Sequence, residues 1–151
     1  MIEIVDYTDA TRSYIRDLNY EWLHKYFAVE PNDELQLNNP RLQIIEKGGH
    51  IFYATFNKEV VGTATLIHIE PHLFELGKMA VTERMQGRGI ARRLMEHCIE
   101  KARDLDATKI ILYSNTKLVA AINLYRQFGF NEVPLVNSHY VRSDIKMEKV
   151  L

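Results

Sequence analysis

At 151 residues the chain has the length of a single domain, residues 1–151, and its 46% hydrophobic content is enough to bury a sizeable core. A net charge of −1 argues against a field that selects nucleic acid or an anionic membrane, and no apolar run approaches the ~18 residues that a membrane-spanning helix needs. The single cysteine, Cys98, precludes an internal disulfide. No Cys/His spacing resembles a metal site, and Met1–Asp6 lacks the basic-then-apolar shape of a secretory signal, so a cytoplasmic, metal-free protein is expected.

Ile2–Tyr7 alternates as a short opening strand. Thr8 or Asp9 caps a helix over Ala10–Ala28, whose Tyr14, Ile15, Leu18, Trp22 and Tyr26 recur at helical spacing. Pro31-Asn32-Asp33-Glu34 reads as a break before a brief second helix, and Pro40 opens an Arg41–Lys47 helix that Gly48-Gly49 closes. The period then changes. Ile51–Phe56 and Glu59–Ile69 are strands joined by an Asn57-Lys58 turn, and Leu73–Val81 is a third strand with Gly77 inside it, the mark of a bulge or a close backbone approach. Gly87–Leu105 is a helix with Ile90, Leu94, Met95, Cys98, Ile99, Ala102 and Leu105 on one half of its surface. Thr108–Ser114 is a short, very apolar strand suited to burial on both faces. Leu118–Phe128 is a helix ending at Gly129, and strands near Asn131–Pro134 and Tyr140–Glu148 complete the chain.

The informative junction is a strand, a short loop, two glycines and a long helix. The first N–H groups of a helix have no partner within it, and the aligned peptide dipoles make that end partly positive, so it suits an anion such as phosphate. Gly87 and Gly89 would let the backbone approach such a group, with Arg88 and Arg92 adding charge; a tight loop with no ligand is the alternative. A Walker A loop would need Lys-Ser/Thr after Gly89, where Ile90-Ala91 stands. A dinucleotide fingerprint would need a small residue at Arg92 and a parallel βαβ opening that the preceding hairpins do not supply.

These residues resemble the GNAT superfamily of N-acetyltransferases. Its signature is Gln or Arg, two residues, Gly, one residue, then Gly or Ala, and Gln86, Gly89 and Ala91 match it in place. The strand Glu75-Leu76-Gly77-Lys78-Met79-Ala80-Val81 resembles the family's fourth strand. Ala121-Ile122-Asn123-Leu124-Tyr125 followed by Phe128-Gly129-Phe130 resembles a later family element. The resemblance spans Leu73–Phe130.

The resemblance implies an α+β, three-layer fold with a mixed, mostly antiparallel sheet of about seven strands, helices on both faces and a splay between the fourth and fifth strands. It implies acetyl-CoA as cosubstrate and a primary amine as acceptor, attacked directly with no metal or covalent intermediate. Gln86, Gly87, Arg88, Gly89, Ile90, Ala91 and Arg92 would hold the pyrophosphate. Met79, Ala80 and Val81 would offer backbone groups to the pantetheine arm and an N–H to the oxyanion, and Ala121 would leave room for the cofactor. Gly77 would form the family's strand bulge. Tyr125 is the expected acid for the leaving thiolate, since a phenol with a pKa near ~10 is protonated at neutral pH. Glu75 matches the glutamate base of histone-type members, with His68, His72 or a water as alternatives. Many members carry Asn seven residues before the tyrosine; here that position is Leu118, and Asn115 is the expected replacement. Tyr113 stands where some N-terminal acetylating enzymes have Glu, which weakens a protein N-terminus as substrate. Trp22, Tyr26, Phe27 and His50 are candidates for an acceptor pocket, with core packing the favoured alternative for the aromatics, while Tyr140, Arg142 and Asp144 carry no assignable role. A homodimer is neither supported nor excluded. The alternative reading is a module of the same fold that binds an acyl-CoA as a regulatory ligand without turnover, which would leave Tyr125 and Glu75 without a use.

Overall fold

The structure, a computed structural model, describes residues 1–136, 138 and 140–151. A strand β1 (Ile2–Asp6) leads through a short 3-10 turn into helices α1 (Arg12–Tyr26) and α2 (Pro31–Asn38), and a π-helical turn over Arg41–Ile45 follows. Pro31 and Asn32 belong to the first turn of α2 rather than to a break before it. Glu30 is the cap, and its N–H donates to Asp33 Oδ2 at 2.9 Å, so proline sits where a missing N–H costs nothing. Strands β2 (His50–Phe56), β3 (Glu59–Glu70) and β4 (Leu73–Val81) form an antiparallel meander. Asn57 and Lys58 both take positive φ, 49° and 67°, as a two-residue hairpin turn requires.

Helix α3 spans Ile90–Asp104, so Gly87 and Gly89 precede it instead of opening it. Strand β5 (Lys109–Ser114), helix α4 (Val119–Gln127) and strands β6 (Asn131–Val133) and β7 (Ile145–Val150) follow. The expected final strand from Tyr140 is corrected: Tyr140–Asp144 lies outside the sheet because Glu30, Asp33 and Lys78 engage its polar side chains and N–H groups.

The seven-stranded sheet has the order β1-β2-β3-β4-β5-β7-β6, antiparallel except for the β4–β5 pair. Helices cover both faces. The apolar stripe of α3, with Ile90, Leu94, Met95, Cys98, Ile99 and Ala102 buried, packs with Ile122 of α4 against Phe52, Ala64, Leu66 and Phe74. On the opposite face, Ile15 and Leu23 of α1 and Leu37 of α2 pack with Ile44, Ile51 and Tyr53. Each such side chain removed from water contributes about 1.5–3 kcal/mol before entropy is counted. Among the described residues, no helix is long and apolar enough to cross a membrane.

Two irregularities position the site. β4 and β5 pair only from Leu73–Glu75 to Lys109–Ile111, although both strands run on, so they separate past that point. The β3–β4 register passes from Thr65 opposite Gly77 to Thr63 opposite Ala80, so Lys78 and Met79 together face Ala64. That is a β-bulge. Its left-handed residue is Lys78, at φ +50°, and not the expected Gly77.

Candidate active site

The separation of β4 from β5 opens a cavity of about 740 Å³, bounded by α1, the start of α3, α4 and the loop before β7. Past Glu75, the edge of β4 that faces β5 has no strand partner, so its backbone groups are open to an added extended chain. Met79, Ala80 and Val81 line the cavity along this edge.

One end of the cavity is the glycine turn. Gly87 and Gly89 have φ of +77° and +78°, and a Cβ added at either would meet nothing within 4 Å. Glycine is needed there for the backbone conformation and not to relieve crowding. Gly89 caps α3 without a side-chain bond, and no acidic residue lies in the first turn, so the helix-start N–H groups and their partial positive charge are left for an anion. Gln86, Gly87, Gly89, Ile90, Ala91 and Arg92 all line the cavity. Gln86 is anchored by its Nε2, which donates to Val81 O at 3.1 Å. Arg92 donates to Gln127 Oε1 and lies 5.3 Å from the Phe128 ring, which ties α3 to α4. Arg88, expected among the phosphate ligands, lies between two left-handed glycines, is exposed and is not part of the cavity lining.

The middle of the cavity brings Tyr125 and Glu75 to one space, Tyr125 from α4 and Glu75 from β4. Burial pushes the Tyr125 phenol up to about 12, so it holds its proton at neutral pH. Glu75 is only 5% exposed, and no hydrogen bond to its carboxylate occurs among the described residues. Burial pushes it up to about 7 against the pull of Lys78 and Lys146, so it exchanges a proton near neutrality. Tyr113 also lines the cavity, and burial, followed by the Glu75 charge, raises its phenol.

The far wall is a buried charge network that sequence reasoning missed. Asp33 is fully buried and accepts a forked pair of bonds from Arg142, at 2.6 and 2.9 Å, and one from Lys78 Nζ at 2.8 Å. Burial alone would raise the Asp33 carboxyl, but the bonds from Arg142 and Lys78 win and hold it below the usual range. Burial, with the Arg142 charge adding to it, outweighs the pull of Asp33 and Glu75, and the Lys78 pKa falls. The Arg142 guanidinium lies 4.6 Å from the Tyr140 ring and 5.6 Å from that of Trp22. Asp33 reads in sequence as a helix-cap residue and Lys78 as an ordinary polar strand residue; only their separation of 45 positions, closed by folding, reveals the pair.

Ala121, Asn115, Trp22, Tyr26 and Phe27 line the cavity. The Asn115 amide is committed within the chain: Nδ2 donates to Arg142 O at 2.7 Å, and Oδ1 accepts from Lys117 N at 2.8 Å. It fastens the end of β5 to the loop before β7. His50, His68 and His72 lie outside the lining. His50 stacks on Phe52, His68 Nδ1 lies 3.3 Å from Lys47 O, and His72 Nδ1 lies 2.7 Å from Asp106 O. Cys98 is buried in the α3 stripe, away from the cavity.

An open β4–β5 edge therefore lies beside an unopposed helix start, the arrangement that the family resemblance implied. A sequence model of the acetyltransferase (GNAT) family matches residues 9–130, and the chain belongs to that family. It is 26% identical over 132 residues to the N-acetyltransferase YvbK of Bacillus subtilis (strain 168), covering 83% of this chain and 85% of the relative. A GNAT acetyltransferase structure from Staphylococcus aureus Mu50 superposes with a TM-score of 0.88 at 19% identity, covering 99% of each chain. An acetyltransferase from Salmonella typhimurium, solved with its cofactor acetyl-CoA, superposes with a TM-score of 0.78 at 18% identity, covering 99% of this chain and 93% of that one. The two superpositions establish a shared fold, and the family uses acetyl-CoA as acyl donor.

Proposed function

We propose that residues 1–151 act as one domain that moves an acetyl group from acetyl-CoA to a primary amine, on a small molecule or a protein lysine, by direct attack on the thioester. The observation that carries this reading is the shared cavity of Glu75 and Tyr125, a buried carboxylate near neutrality and a protonated phenol that both line the β4–β5 opening.

In this reading the N–H groups at the start of α3 hold the pyrophosphate, with Arg92 beside them, and the pantetheine arm adds to the open edge of β4. An amine with a pKa near ~10 arrives as ammonium and gives a proton to Glu75, directly or through water. Its nitrogen then attacks the thioester carbon. The C–N bond forms as the carbonyl electrons move onto oxygen, where a backbone N–H of the bulge stabilises them. On collapse the C–S bond breaks, the electron pair leaves on sulfur, and Tyr125 donates its proton to the thiolate. The second proton on the new amide nitrogen passes to solvent, Glu75 releases its proton to solvent, and solvent restores Tyr125.

The test is thiol release from acetyl-CoA with a panel of amines. Amine-dependent release is expected, with kcat reduced about 10²–10³-fold in Tyr125→Phe and the KM for acetyl-CoA nearly unchanged. Tight CoA binding with no turnover on any amine, unaltered by Tyr125→Phe, would replace the enzyme with a binding module.

A further inference from the structure

We infer that Asn19 and Lys78 are positioning residues for acyl transfer: together they lock the peptide that joins Lys78 to Met79 and aim the Met79 N–H into the cleft. The inference rests on the acyl-transfer reading given above.

The starting point is an energetic oddity. Lys78 is a non-glycine residue at φ +50° inside a strand, and its ammonium is buried, with the residue 7% exposed. Both features are unfavourable taken alone. Glycine would remove the backbone strain at once. The side chain must therefore contribute something that glycine cannot. Its Nζ donates to Asp33 Oδ1 at 2.8 Å and to Tyr140 Oη at 3.2 Å, and lies 4.6 Å from the Tyr140 ring centroid. The bulge residue is thus tied by its side chain to α2 and to the loop before β7.

The backbone of the same residue is tied to a third element. Asn19 of α1 is fully buried, and its Nδ2 donates to Lys78 O at 3.1 Å. That amide cannot swing freely, because Nδ2 also donates to Ile15 O at 2.8 Å and Oδ1 accepts from Trp22 Nε1 at 3.1 Å. A peptide unit is planar and, among the described residues, trans. Fixing the Lys78 carbonyl therefore fixes the Met79 N–H, which points the opposite way. The bulge deprives this stretch of regular ladder bonds, so the clamps from α1, α2 and the loop supply the rigidity that strand pairing would otherwise give. An oxyanion donor acts only if it is held in place before charge develops. Lys78 also joins the Asp33–Arg142 wall to this peptide.

The experiment uses the full chain and the variants Lys78→Met, Lys78→Arg and Asn19→Asp. In Lys78→Met, Asp33 keeps its fork from Arg142. Asn19→Asp keeps the acceptor for Trp22 and loses the donor to Lys78 O. The expected result is a kcat lowered about 10- to 100-fold in Lys78→Met and Asn19→Asp, with the KM for acetyl-CoA changed less than about 2-fold and part of the rate restored by Lys78→Arg. The second readout is amide hydrogen exchange at Met79 in protein saturated with CoA, expected to be faster in both impaired variants than in wild type. Unchanged kcat in a folded variant, or unchanged Met79 exchange, overturns the inference. If Asn19→Asp does not fold, Asn19→Leu, which buries no charge, is measured in its place with the same criteria. A wild-type protein that binds CoA but releases no thiol with any amine defeats the acyl-transfer reading alone; the Met79 exchange comparison still decides whether Asn19 and Lys78 hold that peptide.

Discussion

Glu75 combines a buried carboxylate, no internal hydrogen-bond donor among the described residues and a place on the cavity wall. Its folded pKa of about 7 lies above the ordinary value of 4.5, because burial outweighs the attraction of Lys78 and Lys146. The folded protein therefore keeps a proton that the unfolded chain releases, and Glu75 subtracts stability as pH rises through this window, fully so above about 7. Glu75→Gln is expected to raise the unfolding free energy relative to wild type at pH 8, by up to roughly 3 kcal/mol, and to leave it nearly unchanged at pH 4. In catalysis the sign is opposite, since a base must be ionised: kcat/KM should rise with pH through an acid limb near 7, and Glu75→Gln should remove that limb while lowering kcat about 10²–10⁴-fold. A stability difference independent of pH, or a limb that survives in the variant, would remove Glu75 from the role of base. At this scale the family resemblance, carried by motifs within one strand and one helix, pointed to Glu75 and Tyr125 as candidates. It could not name Asp33 or Lys78, whose chemistry arises from contact between distant segments.

At the scale of elements, the turn between β4 and α3 was legible because its signals are local. Glycines at two left-handed positions, no acidic residue in the first helical turn and an apolar stripe every third or fourth residue are all properties of neighbouring positions. Helix α3 and the Asn57-Lys58 hairpin follow from the same kind of signal. Gly89→Ala is expected to cost about 1 kcal/mol through the left-handed backbone alone, since its added Cβ has no neighbour within 4 Å to strike. That Cβ lies in the space that lines the phosphate end of the cavity, so the KM for acetyl-CoA should rise by more than kcat falls. Equal thermal melts together with an unaltered KM would show that the turn does not bear on the cofactor. The end of the chain was harder to read. The expected strand began at Tyr140, yet Glu30 captures the Val141 and Arg142 N–H groups at 2.8 and 3.1 Å, so they do not serve a ladder.

For the whole molecule, the sheet is two halves joined by a short seam. β1 to β4 form one half and β5, β7 and β6 the other, and the β4–β5 pairing between Leu73–Glu75 and Lys109–Ile111 is the seam. A pantetheine arm laid along the open edge would bridge the halves. Saturating CoA should therefore slow amide exchange at Met79–Val81 and at Leu112–Ser114, and at 100 times its Kd should stabilise the protein by about 2.7 kcal/mol. Exchange protection confined to the start of α3 would indicate that only the phosphates are held.

The sequence by itself determined the local elements, the glycine turn, the apolar stripe of α3 and the strand and helix that carry Glu75 and Tyr125. Each of these rests on interactions between residues a few positions apart. Folding in three dimensions settled that Arg88 stays outside the cavity lining, that His68 and His72 lie against backbone carbonyls outside that lining, and that the bulge falls on Lys78. It alone also assembled the far wall, where Asp33 meets Lys78 across 45 positions and Arg142 across 109. Buried charges are tolerated only when partnered, and that partnership depends on how α1, α2 and the last loop pack over the open sheet, which no short window of sequence encodes.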